Sequence, residues 1–591
     1  MGRTSHPARL AAGRAGRNQD IVVNQKLITI GNLFSRFSLD ALAAAWRNLE
    51  PRYKQSFGVL AAVNLAVFSY GLIHHPVGDH DLMFFNGYPP EMGWWSGRWF
   101  QGALTLLTFN TTAPVYTQLL AIFFQILAAM GMVRLWKPEA GAREMILGGL
   151  VVCLMPLVNW QHYYRSSSHF FSFPQLAMVL ALLLCAGRQS RTKTLAAGLL
   201  VTISLATYNP AVQTYAVGWA GLLVLRLAGW DGTGQNLGRI LKSLAPAAAA
   251  GLAGGLLYYL ASLWLIHQDL MDPSIYLNAT RTPAEMLAAL PDVLAASFRH
   301  LRYSQLFLPG TLKSLLLLTV YLGLACLALK AWSAGAGKGR RLPATLAAVI
   351  FMLFCSKLAF VISQYTDYYA ERIAQMSLPY IYLFFILIVL DPVGPHERRR
   401  GEASPLQGAA RELASFFLIL VVLPYMAVCD LRAQEAFVIA ARHDFAVANR
   451  VMSKMESRLG GGLGGGRYAF VQLGAWKPMN DHLNSPEAQV PSHQYRTLAR
   501  LNGELVFRRL SAEFEPKAYY TISSAPRSNP PPPPDVVRAA RLSAGRRPFP
   551  DDDFISIHDD LVVLLFDEEA RQEVLRMDAV ARAKIMLMKN D

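Results

Sequence analysis

Charge is scarce in this chain. Only 16% of its 591 residues are Asp, Glu, Lys or Arg, 53% are hydrophobic, and the mean hydropathy is +0.26. An ordinary soluble protein carries about 25% charged residues, so this composition excludes that class and requires lipid as part of the solvent. Cysteine is scarce too. The five residues Cys153, Cys185, Cys326, Cys355 and Cys429 all lie within or beside apolar stretches, which excludes a disulfide framework or zinc cluster and leaves small packing side chains. No cleavable signal peptide is expected, because the first apolar run begins near Phe57, behind a long basic segment. That run reads as a retained signal anchor. Nor is an internal inverted repeat visible.

What the chain does have is long apolar windows. A hydrocarbon core of roughly 30 Å takes about 20 apolar residues per helical span. About eleven windows near that length emerge, near residues 57–75, 114–135, 145–160, 170–187, 194–209, 211–228, 244–266, 314–332, 343–362, 376–391 and 412–430. Asn209 and Pro210 separate the fifth from the sixth, as a tight hairpin or as a break inside one re-entrant element. The expected fold is therefore an all-α polytopic membrane protein with about eleven transmembrane helices.

The net charge of +16 does not indicate a nucleic-acid partner, because the basic residues recur in alternate connecting loops. Nine of them lie between Arg3 and Lys54. Others follow at Lys137 and Arg143, Arg188 to Lys193, Arg239 and Lys242, Lys338 to Arg341, and Arg398 to Arg400. By the positive-inside rule these loops are cytoplasmic, and an odd number of spans then puts the C-terminal region outside. Three divisions follow. Residues 1–56 form a cytoplasmic leader in which Ile28, Leu33, Phe37 and Leu42 to Trp46 predict an amphipathic surface helix. Residues 57–430 form the multi-span domain. Residues 431–591 form a small extracytoplasmic α/β region, with a helix around Gln434 to Leu459, strands near Tyr468 to Leu473 and Asp560 to Phe566, a terminal helix, and Gly-rich and Pro-rich insertions.

The first outer loop, residues 76–113, is rich in aromatics and opens with Gly78-Asp79-His80-Asp81. Two carboxylates two residues apart near a membrane exit can face one cavity, where mutual repulsion raises one of them toward the range of a general base. Taken alone, they are equally a pair of solvated loop acids. Asp-x-Asp can also ligate a divalent metal that holds a nucleotide sugar, but nucleotide sugars are cytoplasmic and this loop is predicted to be outside. No metal or other cofactor is therefore expected, and the neighbouring His74, His75 and His80 have no diagnostic spacing. Arginines on the same side, Arg98, Arg165, Arg281, Arg299, Arg302 and Arg372, are candidates for an anionic lipid phosphate, which the planar guanidinium fork matches. Each is also an ordinary loop charge. Lys357 lies inside an apolar span, where it either snorkels outward or pairs. Trp99 to Phe109 has the spacing of a helix lying along the membrane surface.

Four segments together carry a resemblance. They are GDHD at Gly78 to Asp81, WWSGRW at Trp94 to Trp99, WQHYYRSSSHFFSFP at Trp160 to Pro174, and SLATYNPAVQ at Ser204 to Gln213. With them the chain, from about residue 20 to 475, resembles the GtrII-type glucosyltransferases, bacterial multi-span enzymes that decorate O-antigen and related surface polysaccharides. The resemblance implies a GT-C-like architecture in the bacterial inner membrane, a polyprenyl-phosphate-linked sugar donor used outside the cytoplasm, a surface polysaccharide as acceptor, and an acidic residue of the first outer loop as base. That acid falls on Asp79 or Asp81. His80 stands between them where the family often has adjacent acids, which leaves both open. The glycine-arginine pair of the motif falls on Gly97 and Arg98. Two alternatives stay open: a polymerase or ligase joining whole glycans, and a flippase for lipid-linked sugar.

Overall fold

The computed structural model describes residues 39–74, 97–105, 114–156, 161–162, 165–187, 190–230, 237–271, 281–303, 310–333, 338–362, 376–391, 405–460, 467–474, 507, 510, 514, 516–522 and 532–590. They form two compact units, Met1–Val59 and Leu60–Asp591. The first holds helix α1 (Leu39–Asn48) and the opening turns of α2 (Pro51–His74). Within it Trp46 meets Phe57 edge-on at 5.9 Å, and Lys54 Nζ donates to the Arg47 carbonyl at 2.8 Å. Ile28, Leu33 and Phe37 of the expected leader helix lie outside the described residues.

The second unit is mostly helical. It continues α2 and adds α3 (Trp99–Thr105), α4 (Pro114–Trp136), α5 (Ala142–Cys153), α6 (His169–Ala186), α7 (Arg191–Leu205), α8 (Val212–Leu227) and α9 (Leu237–His267). Next come α10 (Pro283–Tyr303), α11 (Gly310–Ser333), α12 (Lys338–Cys355), α13 (Leu358–Ile362) and α14 (Leu378–Leu390). A long rod follows, made of α15 (Pro405–Phe417), a π-turn at Leu418–Val422 and α16 (Leu423–Leu459).

Each apolar window of the sequence falls on a helix, yet only six described helices are long and apolar enough to cross a membrane: α2, α4, α6, α9, α11 and the rod. The apolar parts of the helices in the remaining windows are shorter; α5, for example, ends at Cys153, three residues before Pro156. Helices α4 and α6 bury most of their length and form the centre, whereas α9 leaves Leu252, Leu256, Tyr259 and Trp264 exposed, as a lipid-facing helix must.

Helices α7 and α9 cross on glycine. A Cβ on Gly254 would lie 2.5 Å from the Gly198 carbonyl oxygen and 2.7 Å from Val201 Cβ, and Thr202 Oγ1 donates to the Gly254 carbonyl at 3.0 Å. Small residues at such a crossing let backbones approach where no hydrophobic effect drives helices together. Gly254→Val is expected to force α7 and α9 apart at a cost of about 1–3 kcal/mol. The check is thermal unfolding in detergent, with Gly255→Val, whose added Cβ meets nothing within 4 Å, as control.

Two features differ from the sequence reading. The stretch 267–313, which lies between two apolar windows and carries no predicted helix, contains α10, whose start is capped reciprocally: Thr282 N–H donates to Glu285 Oε2 at 2.7 Å and Glu285 N–H to Thr282 Oγ1 at 3.4 Å. Its inner face, Ala289 and Val293, packs on Ala359, Phe360 and Val361 of α13. The boundary placed at residue 430 falls inside the rod. The 53 residues from Gln407 to Leu459 measure about 80 Å at helical rise, against roughly 30 Å of hydrocarbon, so hydropathy falls part-way while the backbone ladder continues. The rod ends at Gly460, which is left-handed with φ +63.

The far end of α16 belongs to a small sheet of β1 (Ala469–Leu473), β2 (Ala518–Ile522), β3 (Ile555–His558) and β4 (Leu561–Leu565), in the order β2-β1-β4-β3. Strand β1 is parallel to β2 and β4, and β3 is antiparallel to β4. Val451, Met452 and Met455 of α16 cover the face that carries Phe470, Val562 and Leu564. The other face, with Val471, Leu473, Val563 and Leu565, lies under α17 (Pro534–Leu542) and α18 (Glu568–Asn590) through Val536, Ala540 and Val574. Both faces are buried, which is why β1 and β4 read as continuous apolar runs and were legible in the sequence. Strands β2 and β3 were not.

Candidate functional site

The stem that follows the GDHD segment in the chain begins at Gly97, buried and left-handed at φ 72, a conformation glycine adopts without steric cost. The Tyr258 hydroxyl of α9 lies 3.1 Å from the Gly97 carbonyl and 3.3 Å from Asn209 Oδ1, so one phenol ties the stem to the Asn209-Pro210 break. Helix α3 then docks against that break. Its Phe100 N–H donates to the Ala206 carbonyl at 2.9 Å, and Gln101 Nε2 to the Thr207 carbonyl at 2.8 Å. Pro210 offers no N–H to continue the ladder, so carbonyls at the end of α7 need outside donors, and α3 supplies them. The break is therefore a docking surface: α7 and α8 turn apart through the 3-10 turn Asn209–Ala211, α7 packing on α6 and α9 and α8 on α12.

Arg98 is half-buried, its guanidinium 5.0 Å over the Tyr208 ring, within cation–π range. Tyr208 meets Phe171 of α6 edge-on at 4.9 Å and packs with Met376, Ala433 and Phe437. Parts of three of the four quoted segments thus converge: Gly97-Arg98, Phe171 and Tyr208. Ala433 and Phe437, on α16, were missed in the sequence, where nothing local links them to residues more than 200 positions earlier. Asp79, Asp81 and Arg372 lie outside the described residues. Arg165 opens the 3-10 turn Arg165–Ser167, but its side chain lies outside them, as do those of Arg299 and Arg302 on α10.

Lys357 sits in the turn between α12 and α13 and is 1% exposed, so it is enclosed by protein rather than extended outward. Its ammonium lies 5.6 Å over the Phe360 ring. The adjoining Ser356 carbonyl lies 3.2 Å from Ser377 Oγ, which is also 3.2 Å from Gln213 Oε1 of α8. Arg281 N–H donates to the Ile362 carbonyl at 2.8 Å, joining α10's approach to the end of α13.

Buried amides and imidazoles make a polar interior that the sequence reading did not single out. His162 Nε2 lies 3.2 Å from Gln125 Oε1, and its ring stacks obliquely on Phe68 at 4.4 Å. Gln175 Nε2 donates to Gln161 Oε1 at 3.3 Å. Gln118 Oε1, Gln161 Nε2 and both ring nitrogens of His169 are buried with no hydrogen-bond partner among the described residues. Buried polar groups demand partners, and groups of this kind can hydrogen-bond a polyhydroxylated ligand. The available signal was polar residues inside apolar windows, seven apart at Gln118 and Gln125 and therefore on one helix face.

A mostly helical chain with six helices among its described residues able to cross a membrane and polar side chains turned inward is a membrane protein. Residues 68–390 match the family model for glucosyl transferase GtrII; the chain belongs to that family and is a glycosyltransferase. No curated protein and no solved structure matches it. The matched stretch runs from the last turns of α2 through α14, containing all four quoted segments and leaving α16 and the sheet beyond it.

Proposed function

We propose that the enzyme transfers glucose from a polyprenyl-phosphate carrier to a surface polysaccharide such as O-antigen, on the extracytoplasmic face of a bacterial inner membrane, with the N-terminus cytoplasmic and the C-terminus periplasmic. The observation that carries the reading is the docking of Gly97-Arg98 onto the Ala206–Asn209 break, because it holds a cation at the closing stem of the loop in which Asp79 and Asp81 lie. The orientation is supported by basic residues recurring in the alternate loops.

A phosphate-linked sugar already has a good leaving group. Asp79 or Asp81 takes the proton of an acceptor hydroxyl; that oxygen attacks C1 of the sugar, the C1–O bond to phosphate breaks, and polyprenyl phosphate leaves with the electron pair. Direct displacement inverts the anomeric centre. Arg98, with Arg165, Arg372 and Lys357 as further candidates, neutralises the phosphate before and after bond cleavage. The reading assigns no cofactor and no metal, since the donor is carried by lipid rather than by a nucleotide.

Mass analysis of surface polysaccharide from cells with and without the protein tests this directly. The expected result is loss of one branch hexose from a polymer of unchanged length. A shortened or absent polymer would instead identify a polymerase or ligase, and lipid-linked sugar moved across reconstituted vesicles without covalent product would identify a flippase.

A further inference from the structure

We propose that Gln434 is a positioning residue of the transfer reaction, acting through the end of α2. The amide of Gln434 accepts from the Gly71 N–H at 2.9 Å and donates from Nε2 to the Val67 carbonyl at 3.0 Å, and the residue is 4% exposed. Residues 67 and 71 are four apart, so these two backbone groups are each other's partners in an α-helix. A side chain bridging that rung ties the position of the helix end beyond it to α16.

What lies beyond is His74, the last described residue of α2, from which the chain runs on to Asp79 and Asp81. His74 Nδ1 is 3.2 Å from Arg442 Nη2, eight residues further along α16. The same stretch of α16 also presents Ala433 and Phe437 to Tyr208, the ring beneath Arg98. One segment of α16 therefore holds both stems of the first outer loop, the departing one through Gln434 and Arg442 and the returning one through Tyr208. It lies wholly beyond residues 68–390, where the family match ends. This inference rests on the reading that a carboxylate of that loop is the base.

A spanning helix satisfies its own backbone, so α2 has no need of the Gln434 amide to stay folded. In Gln434→Met, a side chain of similar length without polar ends, the Gly71 N–H and Val67 carbonyl can pair with each other. Stability and catalysis should then separate. Measured as transfer of labelled glucose from polyprenyl phosphoglucose to the cells' own polysaccharide, kcat is expected to fall by about tenfold or more, since misplacements near 1 Å cost up to about a hundredfold. KM for the donor stays within about twofold, and Tm within about 3 °C. Gln434→Asn, one methylene too short to reach both groups, should show the same split.

Wild-type kcat in Gln434→Met overturns the inference, and so does a fall in kcat matched by a collapse in Tm and a rise in KM, which marks a merely structural role. If Gln434→Met fails to fold, Arg442→Met at the exposed His74 contact should show a smaller fall in kcat at unchanged KM, and wild-type kcat there overturns the inference as well. Full activity in both Asp79→Asn and Asp81→Asn would sink the underlying reading, whereas an inactive loop-acid variant beside a fully active Gln434→Met sinks this inference alone.

Discussion

One of Asp79→Asn and Asp81→Asn is expected to lower kcat for glucose transfer by about 10²- to 10⁴-fold, the range general-base catalysis supplies. Asparagine keeps the size and the acceptor oxygen and loses the ability to take a proton, so donor KM should change far less than kcat. The other variant should fall by much less, because a second carboxylate acts on the first mainly through its charge. The measurement is transfer from polyprenyl phosphoglucose in membranes adjusted to equal protein, with both single variants and the double. Full activity in all three would remove the catalytic assignment. Arg98→Met provides an independent comparison: it removes the cation held over Tyr208 and should raise donor KM as well as lower kcat, since phosphate is present in the ground state and carries more charge as it leaves.

The largest expected stability effect lies among the basic loops. Lys137, directly after α4, is 5% exposed and its ammonium lies 3.0 Å from Asp391 Oδ2 and 3.4 Å from Glu144 Oε1. Arg411 of α15 also reaches Glu144. The cluster ties the end of α4, the start of α5 and the end of α14 to the rod. Lys137→Met removes the cation and leaves two buried carboxylates in its place, which should cost about 3–5 kcal/mol. Glu412→Gln, breaking the 2.6 Å pair with Arg143 whose side chains are 37% and 65% exposed, should cost far less, because water screens an exposed pair. Thermal unfolding of both variants in detergent decides the matter; equal losses would mean that burial is not what gives the Lys137 cluster its weight.

That cluster shows where sequence reading stops. Position along the chain puts Lys137 and Arg143 together as topology signals. Burial separates them: Arg143 is an exposed surface charge, while Lys137 is enclosed by carboxylates, one of them some 250 positions away at Asp391. No local pattern announces such a partner.

Local physics was enough for much else. Apolar length placed every window on a helix because a backbone in lipid must satisfy itself within its own segment, and hydropathy measures that length directly. Two of the sheet's strands were visible as short apolar runs, and the four quoted segments were sufficient for the family. The sequence also marked Asn209-Pro210 as a break, without saying what the break is for. Only the folded chain shows that its free carbonyls receive α3, that Arg98 thereby comes to lie over Tyr208, and that α16 reaches back to grip both α2 and that same tyrosine. These contacts join residues up to 367 positions apart, and their energy resides in pairings that exist only once the helices have packed.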